Sequence, residues 1–293
     1  MTNRRQFLKS SLAAVGGVVM LGPSSSPANE ACSKEQARWG FLSDTHIPAD
    51  PQNNYRGFYP YKNMQKVVAQ MTADLPEGVV ITGDLARLQG LPGDYANARK
   101  LLAPVVEKRP VCVGLGNHDN RANFLAAFAK PGGAKQAVHG KHVVVVDTGP
   151  VRLIVLDSLL YCNKVAGLLG RNQRTWLQNT LADGDDKPTM LFFHHTLGDG
   201  DGDLLDVPRL FELIKPAKQV KALVFGHSHV YSFNEFEGIH LINLPASGYN
   251  FNDSQPVGWV EARLAGAGGD FILHTVGGNT QADGSTKTLH WRS

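Results

Sequence analysis

The sequence predicts an α/β protein, a two-sheet β-sandwich flanked by helices, and three observations predict it. From residue 37 to residue 129, β-branched apolar runs alternate with stretches of helical spacing, the β-α-β-α-β order that builds a parallel sheet with right-handed crossovers. Beyond Val230 the pattern changes to short alternating runs broken by Gly and Asn, which suggests an antiparallel half. Five apolar runs end in Asp, Asn or His, which delivers polar side chains of one kind to the C-terminal edge of a sheet, where open α/β sheets bind ligands. With 293 residues, 42% hydrophobic and 19% charged, the chain can bury one large core and is not disordered in composition.

Taken in order, the first 28 residues read as a targeting segment. Asn3-Arg4-Arg5-Gln6-Phe7-Leu8-Lys9 resembles the twin-arginine export signal. An apolar stretch from Leu12 to Leu21 follows, too short to span a bilayer, and Ser26-Pro27-Ala28 offers small residues for cleavage. Export by the twin-arginine machinery to the periplasm or beyond is therefore expected, with no stable membrane span. Cys32 follows Asn29-Glu30-Ala31, a poor context for a lipid anchor. Arg4, Arg5 and Lys9 supply the whole formal charge of +3, so the chain beyond residue 28 is formally neutral. That argues against a basic face for nucleic acid.

Residues 29–36 read as a flexible start and the domain as 37–276. A first strand ends at Asp44, and residues 47–61 form a long loop. A helix is expected from Tyr61 to Leu75, where Met64, Val67, Val68 and Met71 share a face. A strand over Val79–Ile81, a helix over Asp94–Val106, a strand over 111–115 and a helix over Asn120–Ala129 complete the parallel unit. His142–Val146 and Val151–Leu156 flank the turn signal Asp147-Thr148-Gly149-Pro150 and read as a hairpin. A helix over Asn172–Leu181 should turn Trp176 and Leu177 inward. It is followed by a strand over Thr189–Phe193, a helix over Val207–Lys215 and a strand over Ala222–Phe225. Residues 277–293 are polar and are expected to form a poorly ordered tail.

The strand-end residues are Asp44, His46, Asp84, Asn117, His194, His227 and His229. This nitrogen and oxygen set, with no thiolate, suits Fe, Mn, Zn or Co. It is too large for one tetrahedral ion and about right for two ions sharing a carboxylate, the arrangement that clamps both oxygens of an in-line phosphoryl displacement. Each motif alone has a plainer explanation: Gly83-Asp84 as a turn, Gly226-His227-Ser228-His229 as surface histidines, Asn117-His118-Asp119 as a helix cap.

Five in order, each at a strand end, resemble the calcineurin-like metallophosphoesterase superfamily: Asp-x-His, Gly-Asp, Gly-Asn-His-Asp, His-His and Gly-His-x-His, spanning Asp44 to His229. The resemblance implies one metal on Asp44, His46, Asp84 and His229 and another on Asp84, Asn117, His194 and His227. It implies that Asn117 and His118 meet the phosphate, that His118 protonates the leaving oxygen, and that Asp119 orients His118. In the His block His194 is the implied ligand and His195 its neighbour, although Thr196-Leu197 stands where the family has proline. Gly83-Asp84-Leu85-Ala86, the later Asp94-Tyr95, Gly116 through Arg121 and Gly170-Arg171-Asn172-Gln173 look like the bacterial cyclic-nucleotide and glycerophosphodiester branch. By that likeness Asn120 or Arg121 would hold a phosphate oxygen; the plainer role for Arg121 is an exposed first-turn residue.

The expected activity is metal-dependent hydrolysis of a small phosphodiester or phosphomonoester. The alternatives are a periplasmic phosphatase or nucleotidase, and a non-catalytic metal-binding protein on the same fold. Asp199-Gly200-Asp201-Gly202-Asp203 suggests a calcium loop, but Leu204 and Leu210 replace the Gly and Glu such a loop needs, so a flexible acidic loop is expected. Tyr55, Phe58, Tyr59 and Tyr61 are either core or a wall for an aryl group. Cys112, in an apolar run, is expected to be buried, and a Cys32–Cys162 bridge is left open.

Overall fold

In the computed structural model of the protein, residues 35–130 and 132–293 are described. The chain leaves β1 (Gln36–Leu42) for α1 (Pro60–Ala73), β2 (Gly78–Ile81), α2 (Pro92–Val106), β3 (Val111–Val113) and α3 (Arg121–Ala127). It then enters β4 (Ala134–Gln136), β5 (Val143–Asp147), β6 (Arg152–Val155), α4 (Arg171–Asp183), β7 (Thr189–Phe192), α5 (Val207–Ile214) and β8 (Val220–Phe225). It closes with β9 (Ser232–Phe236), β10 (Ile239–Asn243), β11 (Pro256–Ala265), β12 (Gly268–Gly278) and β13 (Thr286–His290). One sheet has the order β13-β12-β11-β1-β2-β3, the other β4-β5-β6-β7-β8-β10-β9.

Strand periodicity explains the layering. Side chains alternate across a strand, so a strand buried on both faces must be apolar throughout. In β2, Val80 faces the opposite sheet while Val79 and Ile81 face α1 and α2. In β8, Ala222 and Val224 face the opposite sheet while Leu223 and Phe225 face α4 and α5. Three apolar layers result: one between the sheets, where Phe41 meets Phe192 edge-on at 4.8 Å, and one under each helical layer. This is the two-sheet sandwich flanked by helices that the sequence predicts.

Most expected elements are present within a few residues, including the parallel β1-β2-β3 unit and the β5–β6 hairpin. Trp176 is only partly buried, and Leu177 carries the inner face of α4 with Gln173 and Leu181. Two expectations need correction. The part beyond Val230 is not one antiparallel half: β10 pairs parallel to β8 in one sheet, whereas β11 pairs antiparallel to β1 in the other. Residues 277–293 are not a loose tail. β13 pairs with β12, and the Trp291 indole donates to the Ala265 carbonyl at 2.9 Å. The Arg292 guanidinium donates to the carbonyls of Ile214 (3.1 Å) and Ala217 (2.8 Å), capping the C-terminal end of α5. The tail looked polar because an edge strand exposes one face and Arg292 spends its charge on backbone carbonyls. The export signal, residues 29–34 and Cys32 lie outside the described residues.

Candidate metal centre

Parallel pairing brings the C-terminal ends of β1, β2 and β3 to one edge of the first sheet, and those of β6, β7, β8 and β10 to the facing edge of the second. Every ligand named from the sequence lies on a loop leaving that edge. Asp44, His46, Asp84, His227 and His229 all have positive φ, between 45° and 71°. Non-glycine residues rarely adopt this region, and it persists where the surroundings enforce it. The glycines before the ligands make room. A Cβ on Gly116 would strike the Asp84 carboxylate, and one on Gly226 would strike Ser43 and Asp44.

Two groups of ligand atoms form. Asp44, His46 and His229 make the first, and Asp84, His194 and His227 the second. His229 Nε2 lies 3.2 Å from Asp44 Oδ1 and 3.2 Å from His46 Nε2. His194 Nε2 lies 3.2 Å from Asp84 Oδ2, which is also 3.8 Å from His46 Nε2. Asp84 therefore stands between the groups.

Each carboxylate has one oxygen held by the protein and one aimed inward. Asp44 Oδ2 accepts from the Ser43 hydroxyl and, at 3.0 Å, from the His227 backbone N–H, while buried Oδ1 has no hydrogen bond. Asp84 Oδ1 accepts from the His118 N–H at 2.8 Å, leaving Oδ2 to the histidines. Asn117 Oδ1 and both ring nitrogens of His194 are buried without partners. Buried polar atoms are usually satisfied, and although single ones such as Trp39 Nε1 and Asn243 Oδ1 are unpaired elsewhere, a cluster of orphaned oxygens and imidazole nitrogens fits divalent ions of nitrogen and oxygen preference.

Electrostatics agree. Burial pushes His46 down to about 3, keeping it neutral as a ligand must be. Burial also lowers His194, but Asp84 and Asp44 outweigh it and raise the ring to about 9. In Asp84, burial is outweighed by His194 and His46, which hold the carboxyl well below the usual range. These protons occupy positions that a cation would take.

His118 lines the same cavity as Asp84 and Asn117. Its Nδ1 donates to the Leu88 carbonyl at 2.8 Å, leaving Nε2 for a ligand. The expected Asp119–His118 contact is absent. Asp119 instead accepts from the N–H groups of Leu85, Ala86 and Gly116 and from the Tyr95 hydroxyl, tying the Asp84 loop to the Asn117 loop. Burial and Asp84 raise its carboxyl to about 6. Arg121 is likewise not a free phosphate-binding cation. Its guanidinium makes two bonds to buried Asp157, at 2.7 and 3.0 Å, and a third to the Leu159 carbonyl. Asn120 caps α3 by accepting from the Asn123 N–H.

His195 stacks 4.9 Å from the His227 ring, with Nδ1 2.8 Å from the Ser158 hydroxyl. In the acidic loop, Asp203 turns inward to accept from Thr196 and the Gly200 N–H. Tyr61 is core, whereas Tyr55 reaches the site edge-on to Tyr249 at 4.8 Å. Cys112 is buried, and the Cys162 thiol donates to the Gln89 carbonyl at 3.2 Å.

Sequence reasoning missed the wall and the backbone supports. Tyr249 stacks on His46 at 4.7 Å, and its carbonyl accepts from His229 Nδ1 at 2.6 Å. The Arg87 carbonyl lies 3.1 Å from His46 Nδ1 and plays the same part there. Phe251 and Val165 line the cavity. A carbonyl leaves no signature in residue type, and Gly248-Tyr249-Asn250-Phe251 resembled an ordinary turn.

The fold and site are those of a metallophosphoesterase with a candidate dinuclear metal site. Residues 37–231 match the family model for calcineurin-like phosphoesterases, and the chain belongs to that family, hydrolases acting on phosphoric esters. It is similar to the glycerophosphodiester phosphodiesterase GpdQ of Enterobacter lignolyticus, 28% identical over 70% of this chain and 76% of the relative. It is also similar to the 3′,5′-cyclic adenosine monophosphate phosphodiesterase CpdA of Pseudomonas aeruginosa, 27% identical over 64% of this chain and 68% of the relative. Its fold resembles a dimetal phosphatase from Danio rerio, with a TM-score of 0.66 at 14% identity over 87% of this chain and 99% of that one.

Proposed function

We propose that the protein is an exported phosphodiesterase with two metal ions, one held by Asp44, His46, Asp84 and His229 and the other by Asp84, Asn117, His194 and His227. The observation that carries this is the convergence of Asp44 Oδ1 and His194 Nε2, neither of them hydrogen-bonded, beside Asp84 Oδ2, with Asn117, whose buried Oδ1 also lacks a hydrogen bond, lining the same cavity. Bound ions would lower the pKa of a water for attack on phosphorus and neutralise charge on the phosphoryl oxygens. The chain's own residues do the rest. Asn117 and His118 place the phosphate at the edge of both groups. The Leu88 carbonyl holds the proton on His118 Nδ1, so Nε2, when protonated, is the atom that donates to the leaving oxygen. Asp119 fixes the two loops that carry Asp84 and Asn117.

Diesters are favoured over monoesters because, among the described residues, no Lys or Arg lines the cavity to meet a second phosphate charge. Arg87, nearby, lies over the Tyr55 and Tyr249 rings. The names of the similar phosphodiesterases agree with this reading. Export to the periplasm rests on residues 1–28 alone. The test is turnover of the Mn-loaded protein on bis-p-nitrophenyl phosphate, p-nitrophenyl phosphate and 3′,5′-cyclic AMP, with metal content measured alongside. A diester preference with two ions per chain is expected; a monoester preference, or no turnover with two ions bound, overturns the reading. For export, Arg4→Lys with Arg5→Lys should leave the protein inside the cell.

A further inference from the structure

Among the described residues, ten large apolar side chains are 38% or more exposed, and only Val106 and Phe236 lie away from the candidate metal edge. The other eight, including Tyr55, Leu88, Tyr161, Val165 and Phe251, sit on loops leaving the C-terminal ends of β1, β2, β6, β7, β8 and β10. Single exposed apolar residues are ordinary, and Leu88 and Leu91 line one separate hollow and Leu205 another; what marks a binding surface is an exposed apolar side chain beside the ligand groups. Two of them line the cavity itself, Val165 at 55% and Phe251 at 50% exposed. The Phe251 ring lies 4.3 Å from that of His229 and 5.7 Å from that of Tyr249, so an aromatic wall continues outward from the first ligand group. A Cβ on Gly202 would sit 3.0 Å from Val165 and 3.9 Å from His227 Nε2, so the acidic loop and Val165 lie beside the second group. The cavity, about 290 Å³, can hold a phosphate and one ester arm.

We propose that the site takes phosphodiesters whose alcohol carries an apolar group, alkyl or aryl, lying between Phe251 and Val165 while the phosphate meets the Asp and His groups. The proposal rests on the phosphodiesterase reading above. Phe251 and Val165 offer a polar alcohol such as glycerol or a sugar no hydrogen bond, whereas an apolar arm covers surface that water now wets.

The test is calorimetric binding to the Mn-loaded protein. Dibutyl phosphate and bis(3-hydroxypropyl) phosphate have arms of equal length ending in methyl or hydroxyl, and both are symmetric, so orientation does not matter. Diphenyl phosphate is the aryl arm. Dibutyl phosphate should bind about tenfold or more tightly than its hydroxylated partner. That ratio should fall to within about threefold in Phe251→Ser and in Val165→Ser, with metal content and circular dichroism retained. Phe251→Ser should weaken diphenyl phosphate more than Val165→Ser does if aryl groups stack there; equal losses assign the wall to alkyl chains. Equal affinities in the unsubstituted protein, or an unchanged ratio in both variants, overturn the proposal. If bis-p-nitrophenyl phosphate is hydrolysed while the ratio is flat, the apolar assignment falls and the phosphodiesterase reading stands. If the ratio is large but no diester is hydrolysed with two ions bound, the reverse holds.

Discussion

The two ligand groups are made of the same residue types and are held in different ways. In the first, His46 and His229 each have Nδ1 against a backbone carbonyl, that of Arg87 or Tyr249, and both rings pack on Tyr249. Each Nδ1 donates to its carbonyl, which turns Nε2 toward Asp44 Oδ1, at 3.2 Å for His229 and 3.8 Å for His46. In the second, neither ring nitrogen of His194 makes a hydrogen bond, although Nε2 lies 3.2 Å from Asp84 Oδ2, and among the described residues no hydrogen bond holds the ring of His227. Its geometry comes from packing: His194 against His195 at 5.1 Å, and His227 against both. A carbonyl behind an imidazole fixes tautomer and direction, whereas packing fixes position only. The first group is thus built in advance, and the second is completed by its ion.

The largest effect is expected at the residue that stands between the two groups. Asp84→Asn removes a full negative charge there and replaces either Oδ1 or Oδ2 with an amide. Turnover should fall by about 10³-fold or more, and both ions should weaken, while circular dichroism shows the protein still folded. Loss of only one ion in this variant would break the comparison, because Asp84 would then belong to one group alone.

Protonation sharpens the contrast in the metal-free protein. His46 titrates near 3 when folded, well below its unfolded value of about 6.5, so stability is lost as pH falls from 6.5 toward 3. His194 titrates near 9 when folded, so the stability it contributes is complete below about 6.5 and is lost as pH rises toward 9. Metal-free protein should therefore be most stable near pH 6.5, dropping by about 3 kcal/mol at most by pH 9. With ions bound, His194 has no proton to lose and the alkaline fall should vanish. Urea midpoints from pH 5 to 9, with and without Mn, measure this; an alkaline fall that persists in the loaded protein would mean that His194 is not a ligand.

What could be read from the sequence follows the same division. The six candidate ligands that the structure gathers into two groups were legible because metal chemistry restricts residue type and because strand ends place them. The glycines at 83, 116 and 226 were legible because a carboxylate or ring packs where a Cβ would sit. The supports were not. The Arg87, Leu88 and Tyr249 carbonyls belong to the backbone and leave no trace in composition. Arg121 was misread because an arginine beside a phosphate motif looks available until its partner is known, and Asp157 lies 36 residues away. The family resemblance implied that Asp119 orients His118, while the turn points its carboxylate back at the N–H groups of Leu85, Ala86 and Gly116. Sheet order was open for a related reason: alternation identifies strands such as β10 and β11, but not which sheet each joins.

Metal loss tests the comparison directly. On dialysis against a chelator, one ion should leave before the other, with affinities separated by about 10–100-fold. Substituting His227→Ala should leave the tighter ion in place, whereas His229→Ala should remove it. Two ions lost together from the unsubstituted protein would show that the carbonyl supports do not discriminate.

The smallest expected effect probes the packing that stands in for those supports. Ser158 Oγ accepts from the His194 backbone N–H at 3.1 Å and lies 2.8 Å from His195 Nδ1, so one hydroxyl braces both histidines of the block. If His195 Nδ1 accepts the hydroxyl proton, its unpartnered Nε2 carries the other hydrogen and the ring stays neutral, in keeping with burial, which lowers its pKa well below the ordinary value. Ser158→Ala removes one accepted and one donated bond in a buried site, a cost of about 1–3 kcal/mol in stability. The more telling readout is metal affinity. Because the hydroxyl touches only the second group, the weaker ion should bind about tenfold less tightly and the tighter ion should be unaffected. Equal weakening of both ions would mean that the groups move together, with Asp84 transmitting any shift of His194 to His46 across the 3.8 Å that separates its Oδ2 from that ring.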